Sequence, residues 1–478
     1  MQQTDLDSKV LRVFGNVAFD KQRLRTSQLS KRGVPAYVGE WLLDELAPGT
    51  GELTAEDTAK VLRWTERYLP RPEEANLIKN RLLNGETVKV LTSVQVDVVL
   101  NRNRQERVAK MSLLQILDAQ IADGLVEMYP DLLNQGLWGV VELVRVSDKS
   151  GESPIAVTNF KPLQSTLSLD LFKEARREFS LSEWMDVLLT SMGYNPSVFT
   201  EGEKLLLLCR LLPLVQKNMH LIELAPKGTG KSYIYENISP QVRLVSGGNV
   251  SPAVLFVNNA TGQWGLLARY KVVVLDEVQT LKFEKPQEII GGLKGFLANG
   301  RLTRGGLHET ASDCGLVLLA NIKLDAQQRP LAFPLVKELP DFLREPAFLD
   351  RIRGLLPGWR IRKLSSECFA AGIGLKSDFL GDALLALRED LSFDEWCSRT
   401  IQLVGEKRYK RNEDAVQAIA SGLMKLLFPH GKVSREDFEH YCVRPAQMLR
   451  QFIWGELQAL DAEYRQYESE IRYEILWD

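Results

Sequence analysis

One stretch constrains the fold of this chain more than any other: "LIELAPKGTGKSY", residues 221–233. A short apolar run leads directly into a Gly-rich loop that ends in Lys231 and Ser232. The phosphate-loop pattern is G-x-x-x-x-G-K-[ST], and Ala225 stands where its first glycine would be. Gly228 and Gly230 still let the backbone curl and aim its N–H groups, that of Thr229 included, at phosphate oxygens. Lys231 would reach the β- and γ-phosphates, and Ser232 would hold Mg²⁺. The plain alternative is a chance Gly-Lys turn ahead of a helix.

Two further strands fit that loop. "KVVVLDEV" (271–278) ends in Asp276, placed to complete a Mg²⁺ shell, and Glu277, placed to polarise an attacking water. Acidic residues often end strands, so a helix-capping Asp276 is the competing reading. "GLVLLAN" (315–321) ends in Asn321, whose amide could hold that water; a turn asparagine is the alternative. "NIKLD" has the wrong register for a guanine-reading motif. Short, continuously apolar strands of this kind suit a parallel sheet covered on both faces, and so an α/β fold.

The totals exclude other classes. The chain has 478 residues and a net charge of −2, so any case for nucleic acid must be local. The cysteines are odd in number, scattered and without a C-x-x-C pair, which speaks against structural zinc and a disulfide framework. The N-terminus lacks an apolar signal core, and "LLLLCRLLPLV" is interrupted by Arg210 and Pro213. A cytoplasmic protein without membrane contact is expected.

Along the chain, helices are expected at Val38–Leu46, Thr54–Tyr68, Ser180–Met192 and Glu203–Lys217. A hairpin with a basic tip is expected around "NRNRQ", and a strand at Leu137–Val146. "SDKSGESP" (147–154) has linker chemistry. The expected division is an N-terminal domain over 1–150, a helical linker over 151–217, the phosphate-loop core over 218–376, a helical lid over 377–450 and a helical tail over 451–478.

These pieces, in this order, resemble the AAA+ superfamily. Segments such as "PAYVGEWLLDEL", "SLSEWMDVLLTSMGYNP", "IELAPKGTGKSYIYENISP", "LVSGGNVSPAVLFVN" and "AFLDRIRGLLPGW" resemble the BrxL family, the Lon-protease-like AAA+ proteins of BREX phage-defence systems. The resemblance implies an ATP- and Mg²⁺-dependent ATPase in a prokaryotic cell. It implies a homo-hexameric ring that can pair into larger assemblies, DNA as partner beside other BREX components, and an MCM-like layout with a mixed α+β, OB-like N-terminal domain. It makes Arg351 the candidate arginine finger, with a surface arginine as the alternative. It makes Arg411 the candidate lid arginine, with Arg408 as the fallback. No serine-protease motif follows the lid, so peptidase activity is not expected.

The same layout draws attention to "NGRLTRGGLHE" (299–309), just ahead of the Asn321 strand. MCM-like motors carry a pore hairpin there, and Arg301 and Arg304 would meet phosphates, sequence-independently and most simply on duplex DNA. The alternative is a solvated turn whose arginines pair with acids such as Glu309. Three functions remain open on the sequence alone: a DNA motor or clamp, a protein remodeller, and a nucleotide-locked DNA scaffold with slow hydrolysis. The hairpin is basic rather than aromatic, which favours DNA over polypeptide.

Overall fold

The structure is a computed structural model that describes every residue except 1–2, 28, 101–104, 135, 147–152, 164–167, 260–261, 305–307 and 478. The chain forms two compact units: Phe19–Thr166, and Met1–Ala18 together with Leu167–Asp478. Helix α1 (Gln3–Phe14) belongs to the larger unit. Its Leu6, Val10 and Phe14 enter that unit's core, where Phe14 stacks on Phe179 and Trp184.

In the smaller unit a short helix over Lys21–Thr26 precedes α2 (Ala36–Leu46) and α3 (Ala55–Tyr68). Thr54 caps α3 in a reciprocal box with Asp57, satisfying backbone N–H groups the first turn cannot. Five strands then close a barrel in the order β1-β2-β3-β5-β4. They are β1 (Val88–Leu100), β2 (Gln105–Met111), β3 (Ile116–Ile121), β4 (Leu137–Arg145) and β5 (Ile155–Pro162). β1 and β2 pair antiparallel as far as Leu100 and Gln105; the expected basic tip at 101–104 lies outside the described residues. β5 corrects the expected helical linker over 151–217. Its Val157 and Phe160 complete the barrel core, and closure leaves β4 no open edge.

In the larger unit, Ser180 caps α4 (Leu181–Ser191) with a box to Glu183. The single helix expected from Glu203 is instead α5 (Glu201–Cys209) and α6 (Leu212–Val215), because Pro213 cannot donate to a continuing helix. The central sheet contains β6 (Leu221–Ala225), β7 (Val242–Ser246), β8 (Val272–Asp276), β11 (Gly315–Asn321) and β12 (Gly354–Pro357). It is parallel throughout, in the order β12-β6-β11-β8-β7. Between β8 and β11 come α7 (Pro286–Asn299) and an antiparallel hairpin of β9 (Arg301–Arg304) and β10 (His308–Ala311).

The C-terminal part is helical over α8 (Ser377–Arg388), α9 (Ser392–Thr400), α10 (Lys410–Leu427) and α11 (Arg444–Leu460). The tail over 451–478 departs from the helix expected there. β13 (Ile401–Val404) pairs antiparallel with β14 (Arg472–Ile475), where Ile471 and Ile475 are buried while Arg472 and Glu474 face out. That period of two belongs to a strand. No helix among the described residues is long and apolar enough to cross a membrane.

Candidate active site

The carboxyl ends of β6, β11 and β8 lie side by side. Asn321 is in register with Ala225, and Leu318 with Leu275. That register brings the Gly-rich loop, the amide and the acidic pair into one place. Lys231 Nζ donates to Asn321 Oδ1 at 2.8 Å, and Asn321 Nδ2 donates to Glu277 Oε1 at 3.3 Å. Ser232 Oγ donates to Asp276 Oδ2 at 2.7 Å. Asp276 Oδ1 accepts from the Glu277 amide at 2.8 Å. Thr229, Lys231 and Asp276 are all buried. Burial draws the Lys231 ammonium below the ordinary lysine value, opposed by the Glu223 and Asp276 carboxylates.

The loop needs its glycines. Gly228 and Gly230 have φ of 88° and 69°, and a Cβ on Gly230 would sit 2.6 Å from Leu364 Cδ1. Glu277 also lies in the left-handed region, at φ 47°, which is uncommon for a residue with a long side chain. Its carbonyl accepts from Thr280 N at 2.7 Å, so the turn that aims its carboxylate is held at both ends. A hydroxyl beside a carboxylate, next to a buried lysine and a glycine loop, fits Mg²⁺ held mainly by phosphate and water. The residues present therefore fit a Mg²⁺-bound nucleoside triphosphate.

A buried ion pair supports the loop from below, and it was not among the expected site residues. Arg210 donates to Glu223 at 2.7 and 3.2 Å, to the Thr229 carbonyl at 3.1 Å and to the Gly230 carbonyl at 3.3 Å. Tyr194 Oη shares the same guanidinium at 3.2 Å. Burial opposes the charge on Arg210, yet the Glu223 carboxylate holds it firmly protonated. A sequence signal existed in each case: one arginine inside "LLLLCRLLPLV" and one glutamate inside "LIELA". A charge in so apolar a run needs a buried partner. Arg210→Met is expected to destabilise the protein by about 3–5 kcal/mol, because Glu223 is left buried and unpaired. Arg210→Met/Glu223→Gln should recover part of that stability in denaturant titrations.

The remaining candidates lie elsewhere. Arg411 ion-pairs with Asp350, which also accepts from Tyr409 Oη at 2.9 Å and Arg450 at 3.3 Å. Arg408 donates to the Leu403 carbonyl at 3.1 Å. Arg351 donates to the Ala347 carbonyl of the short helix Pro346–Leu349 that precedes it, and its Nε is buried without a partner. On the hairpin, Arg301 pairs with Glu309 at 3.3 Å, with the two side chains 65% and 59% exposed. Such a pair is worth about 0–1 kcal/mol and is readily exchanged for another anion. Arg304 ends β9 opposite His308; its side chain lies outside the described residues. No cluster of metal-ligating His, Cys, Asp and Glu occurs among the described residues, and all five cysteines are free and buried.

The mixed α/β build is consistent with an ATPase domain. The family model described as "Lon-like protease BrxL-like, ATPase domain" matches residues 155–470, and the model for the BREX system Lon protease-like protein BrxL N-terminal region matches residues 12–145. The chain belongs to the BrxL family. It is 33% identical over 412 residues to the Lon-like protease BrxL of Bacillus cereus (strain H3081.97), covering 85% of this chain and 60% of the relative. It is 31% identical over 439 residues to the Lon-like protease BrxL of Escherichia coli O9:H4 (strain HS), covering 91% and 62%. The chain thus spans about three fifths of the length of these curated relatives.

Proposed function

We propose that this chain is an ATP-dependent, DNA-binding AAA+ motor or clamp that acts as a hexameric ring in BREX phage defence. The observation that carries the reading is the hydrogen-bonded run from Lys231 through Asn321 to Glu277, beside the Ser232–Asp276 pair. Bound ATP supplies the phosphoanhydride whose hydrolysis drives the cycle. Lys231 and the loop N–H groups hold its phosphates, Ser232 and Asp276 hold Mg²⁺, and Glu277 orients and deprotonates the attacking water. Asn321 bridges lysine and glutamate, and so keeps the base aimed.

The strand order β12-β6-β11-β8-β7 supports an AAA+ core. The closed barrel supports an OB-like N-terminal domain, a fold suited to nucleic acid. The basic hairpin between α7 and β11 supports contact with DNA, since its two arginine positions lie at either end of one strand. Arg351 would act on the γ-phosphate of the adjoining protomer, and other BREX components would be further partners.

Binding of labelled duplex DNA at several salt concentrations tests the reading. Arg301→Ala/Arg304→Ala is expected to bind less tightly, with the salt slope reduced by roughly 1 for each phosphate the arginines had neutralised. An unchanged affinity and slope would take DNA binding away from the hairpin.

A further inference from the structure

The smaller unit contains a cavity of about 290 Å³ that has no part in nucleotide hydrolysis. Its walls are aromatic. Trp41 comes from α2, and Trp64 and Tyr68 from α3; each ring is only partly buried. Trp64 and Tyr68 lie 5.0 Å apart between ring centres. Its floor is the outer face of the barrel. Val88, Val90, Val141, Leu143 and Phe160 point into the barrel core, so their neighbours Lys89, Glu142, Asn159 and Lys161 point out and line the cavity. Register sets Glu142 between Lys89 and Asn159.

Each part has a chemical meaning. Aromatic rings exposed to a cavity offer stacking surface for a flat heterocycle. A glutamate and an asparagine beside them can accept from and donate to the edge of that heterocycle. Lys89 and Lys161 share the lining with Glu142 and Glu45, so the charges balance, and an attached phosphate would draw the lysines from those carboxylates. A cation is the poorer occupant, because the Lys161 ammonium already sits 5.2 Å over the Trp41 ring and 3.8 Å from Glu45, and the Arg67 guanidinium lies 5.1 Å over the Tyr68 ring. A base that stacks on Trp41 displaces the Lys161 ammonium toward its own phosphate. The volume is near the lower limit of ordinary ligand pockets, which suits one base rather than a larger molecule.

We infer that this cavity binds a single nucleobase together with its phosphate, by stacking on Trp41, Trp64 and Tyr68 and by charge from Lys89 and Lys161. The base would come from an unpaired stretch of a DNA strand or from a free mononucleotide. The inference holds whether or not the larger unit hydrolyses ATP.

The test uses the full chain and a short single-stranded oligonucleotide carrying 5-iodouracil. Irradiation is expected to crosslink it to peptides containing Trp41, Trp64 or Tyr68. Trp64→Leu and Lys161→Glu should each weaken single-strand binding roughly tenfold, while the thermal-unfolding profile of the full chain stays unchanged as a check on folding. Lys161 is exposed, so its variant tests the site even if Trp64→Leu folds poorly. Competition by dTMP would make the ligand a free nucleotide; protection by the oligonucleotide alone would make it a strand base. Crosslinks only outside these peptides, or single-strand binding unchanged in Lys161→Glu, would overturn the proposal. Loss of oligomer with DNA binding intact would do so too, and would make this face an interface between copies of the chain.

Discussion

Glu277→Gln is expected to bind ATP as wild type does and to hydrolyse it about 10²–10⁴-fold more slowly. The substitution keeps shape and keeps an oxygen to accept from Asn321 Nδ2, at the place where Glu277 Oε1 now accepts at 3.3 Å. The left-handed turn at residue 277 is held by backbone contacts with Asp276 and Thr280, so it survives. Only the capacity to take a proton from water disappears. Calorimetric binding of a non-hydrolysable ATP analogue and a phosphate-release assay separate the two effects. Hydrolysis within a few-fold of wild type would place the base elsewhere. The same variant separates a motor from a nucleotide-locked scaffold, since only a motor would lose its action in the cell.

Arg351→Ala is expected to lower hydrolysis by about 10³–10⁵-fold, the range measured for fingers supplied to nucleotide sites in other NTPases. Arg351 follows Asp350, which is fully buried and tied to Arg411, Tyr409 and Arg450 from the C-terminal helices and their flank. The backbone carrying the arginine is thereby fixed, while its own guanidinium reaches no further than the Ala347 carbonyl. A finger acting on the adjoining protomer predicts complementation. Mixing Arg351→Ala with Glu277→Gln chains forms some interfaces with an intact glutamate on one side and an intact arginine on the other. The mixture should hydrolyse ATP faster than either variant alone. No recovery, with normal assembly, would assign Arg351 a structural role. Arg411, held by Asp350, contributes to this anchoring.

How much of the molecule is legible in its sequence follows from the range of each interaction. β6, β8 and β11 of the central sheet were legible because both faces are covered, so each is one apolar run, and β11 begins and ends where the sequence puts it, at Gly315 and Asn321. β7, with Arg243 in it and one side open, and the four-residue β12 were not read as strands. The Gly-rich loop was legible because its backbone demands specific residues. The Arg210–Glu223 pair and the Asp350 cluster were not. Their members are spread along the chain, and composition does not say which buried charge meets which. β5 and β14 were missed for a related reason: the partner strand rather than its own propensity decides the state of each. The aromatic cavity was invisible because Trp41 lies on one helix, Trp64 and Tyr68 on another, and the lysines on barrel strands.

The central claim is that hydrolysis at Glu277 answers to DNA held by the hairpin. Its most direct test is the rate of Mg²⁺-dependent ATP hydrolysis with and without duplex DNA, for wild type and for Arg301→Ala/Arg304→Ala. The account predicts that DNA changes the wild-type rate, that the variant keeps the DNA-free rate, and that the variant no longer responds to DNA. A variant that responds as wild type does, or a wild type indifferent to DNA, would contradict it.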